Sequence, residues 1–121
     1  MSKPVVLLAE RNLELRRQLF AQLLCQGYEV IDSPHTVDVL RTLRGRQGVD
    51  LFILSASLDQ PGDGVELMQL LRHCERMPQV ILTAERDAQE WASAAHAAGA
   101  AAYLPQPFSW QDVIASVHQL C

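Results

Sequence analysis

The stretch Asp50-Leu51-Phe52-Ile53-Leu54-Ser55 carries the strongest fold signal in the chain. Its four consecutive apolar residues are too few for a helix, and the segment that follows, ending in Pro61-Gly62-Asp63-Gly64, is rich in turn residues. A short apolar run bounded by turn signals is typical of a strand that is buried on both faces of a parallel sheet. Ligands of open α/β folds bind at the carboxyl ends of such strands, so Ser55 is expected to point into a crevice there.

Strand-like and helix-like segments alternate on both sides of this stretch. Four further apolar runs predict strands at Val5–Ala9, Tyr28–Ile31, Gln79–Thr83 and Ala101–Leu104. The helical period between them predicts five helices. The expected inward faces of the first three helices are, in order, Leu15, Leu19, Phe20, Leu23 and Leu24; Val37, Leu40 and Leu43; and Leu67, Met68, Leu71 and Cys74. The fourth is an alanine-rich helix from Asp87 to Gly99. The fifth is expected to turn Val113, Ile114, Val117 and Leu120 inward.

Two helix starts carry capping signals. Asp63 or the glycine beside it is expected to cap the third helix, and Ser109-Trp110-Gln111-Asp112 is typical of a capping box before the fifth. Five alternations of strand and helix with short connections predict one doubly wound α/β domain over residues 1–121.

Composition excludes several classes of function. The net charge is −4 and the ten basic residues are scattered, so no electrostatic footprint for direct nucleic-acid binding is expected. Three widely spaced cysteines without a Cys-x-x-Cys pair are typical of reduced packing residues. The sequence shows neither a signal-peptide pattern nor an apolar run of membrane-spanning length. We therefore expect a soluble, cytoplasmic protein.

Together, the order of the elements and four local motifs resemble the receiver domain of two-component response regulators along the whole chain. The motifs are the Val5–Ala9 strand with its charged end, the Pro61-Gly62-Asp63-Gly64 turn, Pro78 to Ala84, and Gly99-Ala100 through Tyr103 to Pro107-Phe108. The resemblance implies a flavodoxin-like sheet with strand order 2-1-3-4-5. It also implies phosphoryl transfer from a histidine kinase to an aspartate at the end of the third strand, with Mg²⁺ held by an acidic pair after the first.

The sequence departs from this pattern at the positions that carry the chemistry. Glu10 and Arg11 stand where the family has its acidic pair, and Ser55 stands where it has the phosphoacceptor aspartate. Gln106 replaces the lysine that neutralises the phosphoryl group. Lys3 is the only lysine of the chain and precedes the first strand, so it cannot take that place.

Other family positions are retained. Thr83 matches the residue that senses the phosphoryl group, and Tyr103 matches the aromatic that follows its movement. The resemblance further implies a cis bond between Gln106 and Pro107. Either residue, Thr83 or Tyr103, has an equally simple structural explanation at a strand end or over the sheet.

A site with one carboxylate beside a guanidinium has little reason to bind Mg²⁺, which prefers several oxygen ligands and charge compensation. Arg11 is expected either to replace the metal's charge, by pairing with Glu10 or reaching the Ser55 hydroxyl, or to be an ordinary surface cation. No histidine is placed beside Ser55 by any motif, and an unactivated serine is a poor nucleophile. The sequence therefore predicts a pseudo-receiver without a cofactor and without enzymatic activity.

In the family, the fourth helix, fifth strand and fifth helix form a face for dimerisation and partner binding. The corresponding residues here are Trp91, Ala95, Ala102, Tyr103 and Trp110. We expect a protein partner at this face, with a homodimer, a histidine kinase or an output domain as the candidates.

Two alternatives remain. The first is a working phosphorelay receiver that accepts the phosphoryl group at a non-standard residue such as Asp59. The second is a small nucleotide-binding or flavin-binding enzyme on a flavodoxin-like fold. The segment Glu10-Arg11-Asn12-Leu13 has no glycine to form a phosphate loop, which argues against the enzyme. The four histidines show no metal-ligand spacing, so no metal site is expected from them.

Overall fold

The computed structural model describes residues 3–45, 48–74, 77–85 and 89–121, and at 89 and 90 it describes the backbone alone. The elements in these ranges are β1 (Val5–Ala9), α1 (Leu13–Cys25), β2 (Glu29–Asp32), α2 (Thr36–Gly45), β3 (Leu51–Ser55), α3 (Asp63–Leu71), β4 (Gln79–Ala84), α4 (Gln89–Ala98), β5 (Ala102–Pro105) and α5 (Trp110–Leu120). The strands form a parallel sheet in the order β2-β1-β3-β4-β5. The predicted doubly wound fold and strand order are thereby confirmed.

The central strand β3 is buried along its whole length, as its apolar run predicts. Successive side chains of a strand point to opposite faces of the sheet. Leu51 and Ile53 accordingly pack in one hydrophobic cluster, and Phe52 and Leu54 pack in the other. Burial of each such side chain contributes about 1.5–3 kcal/mol. Because the side chains of β3 pack on both faces of the sheet, this strand belongs to both hydrophobic clusters.

Helices cover both faces of the sheet. One layer consists of α1 and α5, whose buried side chains are Leu19, Leu23, Val113 and Val117. The opposite layer consists of α2, α3 and α4, with Val39, Leu67, Met68, Ala95 and Ala98 buried against the sheet. The outer strands β2 and β5 are only partly covered, because each has a neighbour on one side.

Local caps fix the helix starts. The Asn12 side chain accepts a hydrogen bond of 3.0 Å from the Leu15 N–H at the start of α1. Ser109 does the same for Asp112 at the start of α5, at 3.0 Å, as the predicted capping box requires of its serine. Gly62, with φ 78°, is the residue that precedes α3, so the glycine rather than Asp63 occupies the cap position.

Several expected inward-facing residues lie elsewhere. In α2, Val37 and Leu40 are 58% and 43% exposed, and Val39 is the buried residue. This ten-residue helix contains more apolar residues than it can turn toward the sheet, so periodicity alone selects the wrong face. Leu24, near the end of α1, is also exposed.

The third helix is shorter than predicted. It ends at Leu71, and the N–H groups of His73 and Cys74 then bond three residues back, to Leu70 and Leu71. Such tightened turns change the angular spacing of the side chains. Cys74 is exposed instead of facing inward. The predicted start of α4 at Asp87 lies outside the described residues.

Candidate functional site

The ends of β1, β3 and β4 bring three polar side chains together at the carboxyl edge of the sheet. Ser55 of β3 pairs in register with Thr83 of β4, and Ala9 of β1 pairs with Leu54, which places Glu10 next to this edge. Glu10, Ser55 and Thr83 are between 3% and 5% exposed. The only other buried polar residue in the described ranges is Ser33. Three of the four buried polar residues of the described ranges thus lie at the edge of the sheet where the sequence predicts the site.

The Ser55 hydroxyl is bound within its own turn. Its Oγ donates to the carbonyl oxygen of Ser57 at 2.9 Å and accepts a hydrogen bond from the Ser57 N–H at 3.3 Å. Serine hydroxyls commonly bond to nearby backbone in this way. In place of an outward-pointing nucleophile, the end of β3 carries a hydroxyl that closes a turn.

Glu10 is a buried carboxyl group. Burial raises its pKa above the usual value of 4.5, although hydrogen bonds from the backbone N–H groups of Asn12 and Arg11 oppose the shift. The Asn12 N–H lies 2.9 Å from Oε2. The negative charge of Glu85 raises the pKa further and outweighs the opposing effect of the Arg11 guanidinium. The surroundings of Glu10 therefore make its carboxyl group harder to ionise than that of a free glutamate.

This shift predicts the pH dependence of a Glu10→Gln variant. A folded-state pKa above the unfolded value means that Glu10 stabilises the fold at low pH, and this contribution is lost as pH rises through the folded-state pKa. Glutamine has no proton to lose. Relative to the wild type, the variant should therefore become more stable as pH rises from about 4 to about 7.

Urea unfolding at a series of pH values measures this difference. Glu14→Gln, an exposed position in the first turn of α1, is the matched control and should show no comparable trend. A difference between Glu10→Gln and wild type that stays constant across the range would contradict a raised pKa.

Arg11 does not form the expected pair with Glu10. Its side chain is exposed, and in the part of the chain that the structure describes the ion pairs join Arg16 to Asp32 and His35 to Asp59. The hydroxyl of Ser55 is engaged by Ser57, so Arg11 does not reach it either. Of the expectations for Arg11, that of a surface cation agrees with this placement.

Arg16 is the cation that contacts this edge, a role that the sequence pattern did not reveal. Its Nη1 donates to the Glu10 carbonyl oxygen at 3.0 Å, and its Nε lies 2.9 Å from an Asp32 carboxylate oxygen. The guanidinium thereby ties the ends of β1 and β2 together. Its position in the first turn of α1, seven residues after the end of β1, was the available signal.

The remaining family positions lie on β4 and β5. Gln106 donates its N–H to the Ala84 carbonyl oxygen at 2.8 Å, and its bond to Pro107 is cis, as expected. Tyr103 is half-buried against the α2–α4 layer, and this burial raises its pKa. Lys3 lines a cavity with Asp50, at the opposite edge of the sheet.

The loop after β3, residues 56–62, is organised by Asp63, a role the sequence did not reveal. The Asp63 carboxylate accepts hydrogen bonds from the N–H groups of Leu58, Asp59 and Gln60 at 2.6, 2.9 and 3.0 Å. The Thr36 hydroxyl adds a longer bond of 3.4 Å. The available signal was an aspartate within the turn-rich segment, a position that is typical of local carboxylate-to-backbone bonding.

Asp59 is held by the neighbouring loop between β2 and α2. Its carboxylate bonds to His35 Nδ1 at 2.9 Å and accepts from the Thr36 N–H at 3.0 Å. The His35 hydrogen bond is the main cause that lowers the pKa of Asp59, followed by the Thr36 backbone bond. Asp59 is exposed, and its hydrogen bonds connect it to the β2–α2 loop rather than to Ser55.

Four of the five expected partner-face residues, on α4, β5 and α5, are partly exposed. Trp91 and Tyr103 pack against the α2–α4 layer, and Ala102 and Trp110 pack against the α1–α5 layer. Ala95 is fully buried and belongs to the core, because its small side chain lies where α4 meets the sheet. The expectation that Ala95 forms part of the surface is wrong.

The described ranges contain no group of three or more His, Cys, Asp or Glu side chains arranged to hold a metal ion. Within the same ranges, none of the helices has the length and apolar character that crossing a membrane requires.

Comparison with known proteins gives one family match and several relatives. The model of the response regulator receiver domain matches residues 6–118. The chain is 32% identical to the transcriptional activator protein PfeR of Pseudomonas aeruginosa, over 97% of this chain and 37% of the relative. It is 35% identical to the transcriptional regulatory protein AfsQ1 of Streptomyces coelicolor, over 69% of this chain and 36% of the relative. The chain thus spans little more than a third of the length of these curated relatives.

A solved structure has the same fold. The crystal structure of a response regulator receiver protein from Pseudomonas putida superposes with a TM-score of 0.88 at 19% identity, covering 98% of each chain. At this level of identity the likeness concerns the fold alone.

Proposed function

The chain belongs to the response regulator receiver domain family, and we propose that its receiver-like domain, residues 1–121, signals through protein binding without phosphorylation of an aspartate. The observation that supports this most directly is Ser55. It ends β3 where the family has its phosphoacceptor, and its hydroxyl is bound to Ser57. A serine held in this way has neither the charge of a carboxylate nor a base to activate it.

The electrostatics of the edge support the same proposal. Glu10 is buried in surroundings that raise its pKa, and Arg11 adds a positive charge beside it. A Mg²⁺ site needs oxygen ligands that carry negative charge. Glu10, Arg11 and Ser55 do not make a suitable set, so we propose no metal and no cofactor.

The residue that would neutralise the phosphoryl group is also replaced. Receivers neutralise the phosphoryl group with a lysine, and the position before the cis proline is Gln106. An amide can donate a hydrogen bond but carries no charge to offset an anion. Lys3 lies at the other edge of the sheet. We therefore propose a regulatory domain that is not an enzyme.

For the partner we propose a protein that binds across α4, β5 and α5. The partly exposed residues Trp91, Ala102, Tyr103 and Trp110 lie on these three elements. A second copy of the chain, a histidine kinase or an output domain are the candidate occupants. The relatives are longer and are described as transcriptional regulators, which supports an output domain in a cytoplasmic protein. Direct contact of this domain with nucleic acid or membrane is not proposed.

A second candidate function is that of a working phosphorelay receiver phosphorylated on Asp59. The observation in its favour is that Asp59 is exposed and that hydrogen bonds from His35 and Thr36 lower its pKa, which keeps the carboxylate ionised. The same bonds occupy both carboxylate oxygens, at 2.9 and 3.0 Å, which weakens it as a nucleophile. We therefore rank it second.

Intact mass after incubation with acetyl phosphate and Mg²⁺ tests the two candidates. We expect no added phosphoryl group on the wild-type protein, with or without the metal. A variant that combines Ser55→Asp, Arg11→Asp and Gln106→Lys restores the family's residues and should gain one, which shows that the conditions support the reaction.

Asp59→Ala identifies the acceptor if the wild-type protein gains mass. An adduct that needs Mg²⁺, is removed by hydroxylamine and disappears in Asp59→Ala would refute the pseudo-receiver and establish the second candidate. An adduct that persists in Asp59→Ala would also refute the proposal and would direct the search to another residue.

A further inference from the structure

The indole of Trp91, on α4, lies directly against Gly62 in the β3–α3 loop. A Cβ atom built on Gly62 would lie 2.8 Å from Trp91 Cη2 and 3.3 Å from Cζ3. Gly62 is buried and has φ 78°, a conformation that glycine adopts without strain. The outer edge of the indole therefore occupies the space that a side chain at position 62 would need.

Gly62 is connected to the end of β3 by hydrogen bonds. Its N–H donates to Ser57 Oγ at 2.9 Å, and the Ser57 N–H donates in turn to Ser55 Oγ at 3.3 Å. The Ser55 hydroxyl returns a bond to the Ser57 carbonyl oxygen at 2.9 Å. A continuous set of contacts thus runs from Ser55 through the loop to the indole.

The Trp91 side chain also packs against the hydrophobic core. Trp91 is half-buried against the α2–α4 layer, as is Tyr103 on β5. The helices α3 and α4 are also in direct contact. Tryptophan buries a large area and has few rotatable bonds, so it joins the surfaces on its two sides at low entropic cost.

We infer that Trp91 is a lock that holds the β3–α3 loop and α4 in one arrangement. The lock uses packing on Gly62 and the Ser57–Ser55 bonds, so it requires no charge at the end of β3. This inference rests on the proposed function in that it assigns to Trp91 the link between the degenerate site and the partner face. Displacement of the indole releases the loop and α4 together.

Hydrogen–deuterium exchange of the unphosphorylated protein and its variants tests the lock. In Trp91→Ala, amides of residues 56–64 and of α4 should exchange about tenfold faster than in the wild type, while those of β1 and α1 change little. Trp110→Ala is the matched control, because Trp110 packs against the α1–α5 layer and should leave residues 56–64 protected. Unchanged protection of residues 56–64 in Trp91→Ala would overturn the inference.

A second variant covers the case in which Trp91→Ala does not fold. The chain has two tryptophans, so Trp110→Phe leaves Trp91 as the single tryptophan, which can be excited selectively at wavelengths where tyrosine does not absorb. Adding Gly62→Ala to this background forces the indole away from the loop, and its emission should shift to longer wavelength. An unchanged emission spectrum would contradict the contact. Because neither measurement involves phosphorylation, the lock and the proposed function can fail independently.

Discussion

Replacing Gly64 with alanine is expected to lower the free energy of unfolding by about 3 kcal/mol, at the upper end of the usual cost of overpacking. A Cβ atom on Gly64 would lie 1.8 Å from the Ser55 carbonyl oxygen and 3.0 Å from the Ala56 carbonyl carbon. Both contacts are with backbone, so no side-chain rotation relieves them. The helix or the end of β3 would have to move.

The clash arises because α3 begins directly on the end of the central strand. The Gly64 N–H donates to the Ala56 carbonyl oxygen at 2.9 Å, which draws the first turn of the helix onto the strand end. Ala56 is in turn bonded to the Thr83 carbonyl oxygen at 2.8 Å. An alanine at position 64 therefore disturbs Ser55 and Thr83, and the damage is concentrated at the candidate site.

Gly45→Ala is the matched control for this prediction. Gly45 ends α2, and a Cβ there would meet no atom within 4 Å. Because alanine favours the helix over glycine, this variant should be neutral or more stable by up to about 1 kcal/mol. Urea unfolding followed by circular dichroism compares the two. Similar stability of Gly64→Ala and Gly45→Ala would contradict the close contact between the start of α3 and the end of β3.

The central strands were predictable because an uninterrupted apolar run in the sequence indicates a buried strand. Leu51 to Leu54 is an uninterrupted apolar run, and only a strand covered on both faces hides all of it. The helix faces were predicted less well. Val37, Leu40 and Cys74 follow a helical period, but a short helix exposes part of its apolar surface and a tightened last turn alters the period.

The identity of the candidate site followed from residue types, but its bonding did not. Glu10, Ser55 and Thr83 lie together as strand order requires. The sequence did not show that Arg16 contacts this edge more closely than Arg11, because both arginines follow β1 closely, Arg11 just before α1 and Arg16 within its first turn. Side-chain direction and loop conformation decide such contacts, and neither has a simple sequence pattern.

The contacts of the β3–α3 loop were the hardest to predict. Asp63 contacts residues up to 27 positions away, and the Trp91 contact joins the β3–α3 loop to α4, which are separated in the sequence by α3 and β4. An aspartate at the start of a helix is usually explained by its favourable interaction with the helix dipole. Here its carboxylate also organises the preceding loop, which makes it more important than a helix-start residue normally is.

Asp63→Ala is accordingly expected to destabilise the domain by about 3 kcal/mol. The carboxylate accepts three backbone hydrogen bonds within 3.0 Å, from Leu58, Asp59 and Gln60. Bonds to a charged acceptor contribute about 1.5–3 kcal/mol each, and water recovers part of the loss at the exposed N–H groups of Asp59 and Gln60. Leu58 is buried, so its N–H finds no such replacement.

Glu66→Ala separates this effect from the loss of a negative charge near the start of α3. Glu66 lies in the same first turn and is exposed, so its removal should cost less than about 1 kcal/mol. Thermal and urea unfolding of both variants, with exchange at residues 56–62, measures stability and loop order together. If Asp63→Ala proves no less stable than Glu66→Ala, the charge near the helix start, and not the loop bonds, accounts for what Asp63 contributes.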